Sequence, residues 1–281
     1  MEKQDLLLEL RKGNPLALRQ QIALTIQLSF PAIMAQISSI VMQYIDAAMV
    51  GQLGRDASAA IGLVASSTWL FGGLCRALVV GFSVMVAQRI GAGEEKDARN
   101  LVKQGLCSGF VFGLLIAAVG AAIAGGLPHW LHADSSICLG ASSYFLIFAL
   151  SLPFVQLNRL AVGLLQAGGN MRTPSMLLVL MCGLDVVFNS LLIFPTRQIG
   201  SFTLPGADLG VTGAALGTAL SEIVVAIILC ICLLRSPMLG LRKGERLQFV
   251  PVQLRRAFRL GVPVAIEQAV MSSAQVVTTR I

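Results

Sequence analysis

Polar residues in this chain are confined to short breaks between long apolar runs. The pattern predicts seven helices, at about 20–51, 57–89, 101–126, 137–166, 175–194 and 211–235, with a seventh starting near 259. The first six each reach the ~20 residues needed to cross a ~30 Å hydrocarbon core at ~1.5 Å per residue. The breaks carry turn residues and charge: Gly51, Gly54, Arg55 and Asp56 after the first run, RIGAGEEKDARN over 89–100, and AGGNMRTP over 167–174. Pro128-His129-Trp130 opens a short loop with an interfacial aromatic. The Gly/Pro-rich stretch 195–210 is read as a loop. Residues 1–19 form an amphipathic lead-in expected on the membrane surface, and 236–257 a basic linker.

One run breaks the pattern from inside. LSFPAIMAQISSIVMQYIDAAMVG, over 28–51, carries Gln36, Ser39, Gln43 and Asp46. Steps of three, four and three place these on one helical stripe. A charged side chain at the centre of a membrane helix costs roughly 2.5–3.5 kcal/mol on insertion scales, so it faces protein or water. A polar stripe ending in an acid therefore reads as the wall of a wet cavity. Pro31, near the start of the run, removes a helix hydrogen bond and favours a bend.

Composition agrees with an all-α polytopic membrane protein. Only 12% of the 281 residues are charged and 56% are hydrophobic, against about 25% charged in soluble domains. Mean hydropathy is +0.79. The net charge of +7 would suit nucleic acid if it were clustered on one soluble face, but its placement argues otherwise. Sixteen of the 21 Lys and Arg fall in the lead-in, the 2–3 and 4–5 breaks and the linker, while the alternate breaks hold only Arg55 and Arg197. That is the positive-inside signature, with the amino terminus cytoplasmic and attraction to anionic lipid at that face. Arg76, Arg159 and Arg280 fall inside helices. Six cysteines lie in or beside apolar runs without metal-ligand spacing to His129 or His132, and read as small hydrophobes. Gly91-Ala92-Gly93 lacks a preceding strand and a P-loop lysine, so it is a turn. There is no HExxH or GxSxG, and enzymatic function is not expected.

An internal echo sets the scale. LSFPAIMAQ at 28–36 resembles LGVPVAIEQ at 260–268, with Leu, Pro and Gln coinciding. The second copy begins where a repeat of a six-helix unit would begin. The expectation is a six-helix lobe over 20–235 followed by the start of a second lobe at 258–281, and a longer two-lobed protein.

Several segments together resemble the multidrug and toxic compound extrusion (MATE) transporters, within a superfamily that includes lipid-oligosaccharide flippases. These are Phe30-Pro31 with Asp46 fifteen residues on and the ending AAMVGQLG; GFSVMVAQRIGAG over 81–93; LPF over 152–154 with GLLQAGGNMRTP over 163–174; and LLIF with LGVTGAALGTALSE over 191–222. The ordered set covers essentially the whole chain. The resemblance implies two six-helix lobes in the full transporter.

It also implies site residues. Asp46 matches the helix-1 acid that takes part in ion coupling. A carboxylate withdrawn from water favours its neutral form, so it can take up a proton. Asp185 and Asn189, four apart on one helical face, stand where the family commonly has Asn followed by an acid or Asn. The exchanged order leaves open which residue releases the proton. Tyr144 and Thr218 fall where the family has cavity-lining polar groups. Gln36 and Gln43 are assigned to the cavity by their stripe with Asp46. Arg159 needs a carboxylate partner or water, for which Asp185 or Glu222 could serve, and Arg76 could instead snorkel. Glu267, four residues after Pro263, is a candidate acid of the second lobe.

The expectation is a secondary active exporter in the cytoplasmic (inner) membrane, exchanging H⁺ or Na⁺ for amphipathic, cationic small molecules, with no cofactor and no nucleic-acid partner. The drug or metabolite class comes from the resemblance alone. Alternatives are a flippase for lipid-linked oligosaccharide, kept open by Arg76 and Arg159, and a lone-lobe scaffold without transport.

Overall fold

The computed structural model describes residues 17–199, 202–240, 242, 245 and 249–279. Most of the expected lead-in, parts of the linker, and Arg280 with Ile281 lie outside the described residues. The long helices are α1 Leu18–Gly51, α2 Arg55–Gly91, α3 Glu95–Ala124, α4 Ser135–Ala167, α5 Arg172–Leu192, α6 Gly210–Leu234 and α7 Pro251–Thr279. A one-turn helix, Leu127–Trp130, bridges α3 and α4. Among the described residues, α1 to α6 are long and apolar enough to cross a membrane. The exposed surface of these helices is correspondingly apolar, with Ile26, Phe30, Leu115, Leu139 and Ile227 among its residues. The chain is a multi-pass membrane protein.

α4 is the centre of the bundle: α2, α3 and α6 pack on it most extensively. α5 packs on α6, α1 on α5, and α7 on α2. α1 therefore sits at the margin, burying only Leu24, Ala35 and Val50. Two large apolar cores hold the helices together, with a smaller cluster joining Val50 of α1 to Ile193, Phe194 and Ala214. One gathers Phe82, Leu101, Leu160, Leu164, Leu229 and Leu233. The other is built around Phe71 and Phe145, whose rings meet edge to face at 5.6 Å. Membrane helices gain no hydrophobic drive from meeting each other, so close backbone approach matters more. Where α7 crosses α2, a Cβ on Gly81 would run into the Ala257 carbonyl, and one on Gly261 into the Ala77 carbonyl.

Two expectations need correcting. The stretch 195–210 is a hairpin: strands β1 Pro195–Ile199 and β2 Phe202–Ala207 pair antiparallel with Ile199 opposite Phe202. The abundance of Gly and Pro masked the β-branched and aromatic residues flanking Gly200-Ser201, a hairpin dipeptide in sequence. The seventh helix starts at Pro251 rather than near 259. Proline is pre-organised for the first helical position, so a basic but helical turn precedes the apolar run.

The shortened linker is tied down by its acid. Glu245 receives Arg99 Nη2 at 2.8 Å and Nε at 3.0 Å, and Lys103 Nζ at 3.2 Å. Gln104 then donates to the Val250 carbonyl at 2.8 Å. Together these fasten the entrance of α7 to the first turns of α3.

Candidate functional site

The acid of the first helix meets the acid of the fifth through an amide. Asn189 Nδ2 donates to Asp46 Oδ1 at 2.9 Å and to Asp185 Oδ2 at 3.0 Å. Ser221 on α6 donates its hydroxyl toward Asp185 Oδ1 at 3.3 Å and to the Thr218 carbonyl at 2.8 Å. Three helices thus converge on one cluster. Asp185 and Asn189 are 0% and 1% exposed, whereas Asp46 keeps partial access. Helical periodicity explains the geometry: residues 185 and 189 share a face one turn apart, and residues 218 and 221 share another. Asn189 Oδ1 has no hydrogen-bond partner among the described residues. A Cβ on Gly217 would collide with that oxygen, so a glycine there is what lets α6 close on Asn189.

Tyr144 packs with the Phe71 and Phe145 core and stands within electrostatic reach of both acids. Thr218 supplies a carbonyl to the cluster through Ser221. Ser221 and Gly217 were not singled out in the sequence. Ser221 lies between the noted Thr218 and Glu222, and Gly217 is inside the quoted GAALGT, but nothing in one dimension indicates what they face.

The polar stripe of α1 divides. Asp46 turns into the lobe, Gln36 remains exposed away from the cluster, and Gln43 lines a separate cavity. That cavity, about 260 Å³, is bounded by α1, α2, α4 and α7. Arg159 reaches across it to donate from Nη1 to the Gly72 carbonyl at 2.7 Å. Arg76 donates to Gln268 Oε1 at 3.2 Å. Arg159 hydrogen-bonds to neither of the carboxylates considered for it from sequence. Glu222 is instead held by Asn158, and Asp185 by Asn189 and Ser221. Pro31 lies beside a second, larger groove of about 530 Å³ between α1 and α5, lined also by Ile26, Phe30, Met34 and Met176.

Among the described residues no group of three or more His, Cys, Asp or Glu side chains is arranged to hold a metal ion. The oxygens gathered at Asp46, Asp185 and Asn189 are hard donors, of the kind that accept a proton or an alkali cation.

The MatE family profile matches residues 31–191, more than half of the chain. The chain is 26% identical over 251 residues to a probable multidrug resistance protein NorM of Thermotoga maritima, covering 88% of this chain and 52% of that protein. It is 23% identical over 249 residues to the multidrug export protein MepA of Staphylococcus aureus, covering 86% and 52%. A solved MOP superfamily transporter from Pyrococcus furiosus superposes with a TM-score of 0.79 at 24% identity, covering 89% of this chain and 53% of that one. The chain spans about half the length of the curated relatives it matches.

Proposed function

The chain belongs to the MatE family, and on that premise we propose that it forms one six-helix lobe, with the first helix of a second, of a secondary active exporter. The exporter exchanges H⁺ or Na⁺ for amphipathic small molecules, works in the inner membrane with its amino terminus in the cytoplasm, and pairs this lobe with a second one of the same polypeptide. The multidrug names of its relatives support the substrate breadth.

The observation that carries the reading is the Asn189 amide bridging Asp46 on α1 and Asp185 on α5. An ionised Asp46 accepts only, and so binds the amide N–H. A protonated Asp46 also donates, and the Oδ1 of Asn189, which has no partner among the described residues, and the Asp185 carboxylate are the acceptors at hand. Protonation therefore rewrites the α1–α5 contact. α1 is the element free to respond: it is marginal, scarcely buried, carries Pro31 within its length and is bordered by a mainly apolar groove. Ionised, Asp46 keeps α1 in the substrate-receiving form; neutralised from outside, it releases α1 to bend and expel the substrate. Alternating access follows from rocking of the two lobes. A Na⁺ ion uses the same oxygens.

In vesicles holding the full-length gene product, dye efflux driven by a pH gradient falls at least tenfold in Asp46→Asn; unimpaired coupled transport overturns the assignment. Imposing a Na⁺ gradient in place of the pH gradient identifies the ion. A second reading, a flippase for lipid-linked oligosaccharide, is favoured by Arg76 and Arg159 in the cavity and is distinguished by headgroup translocation without dye efflux.

A further inference from the structure

The cavity between α1, α2, α4 and α7 has an unusual balance of charge. Its lining holds two guanidiniums, Arg76 and Arg159, and no carboxylate. Each arginine makes one hydrogen bond among the described residues, to a neutral acceptor: Gln268 Oε1 for Arg76 and the Gly72 carbonyl for Arg159. Neither forms an ion pair among the described residues. A guanidinium has five N–H donors, so most of those donors have no protein partner among the described residues, and both arginines are exposed.

The depth makes this informative. Gly72 is one residue from the middle of the 37-residue α2, so Arg159 is anchored close to the centre of that helix. A cation at that depth is expensive unless water or an anion accompanies it. The acids nearby are engaged elsewhere or turned away. Glu222 accepts from Asn158 and stands within electrostatic reach of Arg159 without pairing with it. Asp46 and Asp185 share Asn189. Glu267 is exposed and outside the lining.

The arginines are also held in place rather than loosely solvated. At Gly72 a Cβ would stand 3.5 Å from Arg159 Nη2, so the guanidinium lies close against bare α2 backbone. At Gly73 a Cβ would come within 2.6 Å of Gln268 Cγ, so this glycine admits the residue that holds Arg76. Beside them, Trp69 and Phe148 add aromatic side chains to the lining, and Gln43, Thr68 and Gln268 neutral polar groups. About 260 Å³ is just under the roughly 300–1,000 Å³ of small-molecule sites, room for a charged head and a ring or two.

We propose that this cavity binds the phosphate or carboxylate group of an amphipathic organic anion, with Arg76 and Arg159 on the anion and Trp69 and Phe148 on its apolar body. The planar guanidinium fork matches both oxyanions, and two forks select anions over the cations that the family resemblance alone suggests. The inference rests on reading this cavity as part of the transport path, but its test reads binding and not transport.

The experiment is calorimetric titration of the full-length gene product in detergent with three probes: 1-naphthyl phosphate, dioctanoyl phosphatidic acid and 1-naphthylmethylammonium. At least one phosphate probe is expected to bind tenfold or more tighter than the ammonium. A preference for naphthyl phosphate assigns the site to soluble anions, and one for phosphatidic acid to lipid-linked phosphate; both support the inference. Arg76→Gln and Arg159→Gln each weaken phosphate binding about tenfold and leave the ammonium isotherm unchanged. Arg159→Lys retains part of the affinity, because charge remains without the fork. If Arg159→Gln fails to fold for want of its α2 anchor, Arg76→Gln, whose partner is a side chain, decides. Tighter ammonium binding, no phosphate binding, or phosphate binding indifferent to both arginines overturns the proposal. Loss of the Asp46→Asn efflux phenotype with phosphate binding intact would instead remove the coupling mechanism and leave the anion site standing.

Discussion

Asn189 holds the α1–α5 junction by donating one N–H to each of two carboxylates, and Gly217 makes the space for it. Asp46 stood out in the sequence because a charge in an apolar run is costly. The bridge did not, because Asn in a membrane helix reads equally as a local hydrogen-bonding residue. The glycine is more opaque still, since an absent side chain says nothing until its neighbour is known. A paired substitution tests this. Gly183 on α5 has open space where a Cβ would sit, so Gly183→Ala should be neutral or raise stability by a few tenths to about 1 kcal/mol, the usual helix gain. Gly217→Ala should reverse that sign by about 1–3 kcal/mol of overpacking and lower coupled efflux about tenfold. Thermal melts in detergent beside vesicle efflux read both, and equal behaviour of the two variants would refute the packing account.

Among the elements, α1 and the linker to α7 each add a few polar contacts to their apolar packing. α1 is attached chiefly to α5, while the start of α7 is tied to α3 through Glu245 and Gln104. Hydrogen bonds from Arg99 hold the Glu245 carboxyl well below the usual carboxylate range, at about 2, with Lys103 adding to the effect. A depressed acid stabilises above its ordinary value of roughly 4.3 and loses that contribution as pH falls toward the depressed one. The clasp is therefore intact at neutral pH and opens between about pH 4 and 2. Hydrogen exchange in the linker peptides, corrected for the intrinsic pH dependence, should rise over that window. In Glu245→Gln the fast exchange should already be present at pH 7 without an acid step; protection equal to the wild type would show that Gln104 alone holds the linker. The basic linker was legible from composition, but its anchoring acid was not, because one Glu among many Arg and Lys reads as solvated surface.

For the whole molecule, the alternation of Lys and Arg between breaks predicts that the 2–3 break and the hairpin lie on opposite sides of the membrane. In a cysteine-free background, Glu94→Cys should react with an impermeant maleimide from the cytoplasmic side only, and Thr196→Cys from the outside only. The reverse pattern would invert the orientation and the direction assigned to the ion. The echo between 28–36 and 260–268 has a spatial counterpart of an unexpected kind. Gln268, the partner of Gln36 in that alignment, is the residue that holds Arg76 in the cavity, while Gln36 itself stays out of it.

The sequence by itself determined the membrane class, the six spanning helices, the expected orientation, the family resemblance and the prominence of Asp46. These follow from hydropathy, period and charge, which are properties of a segment read alone. Only the tertiary structure decided that Asn189 joins two acids, that Glu222 pairs with Asn158, that the two arginines rest on a backbone carbonyl and a glutamine, and that Glu245 fastens the linker. The physical reason is range. A hydrogen-bond partner is chosen by distance across helices, up to 192 residues apart in the chain for Arg76 and Gln268, and local pattern carries no record of which faces meet.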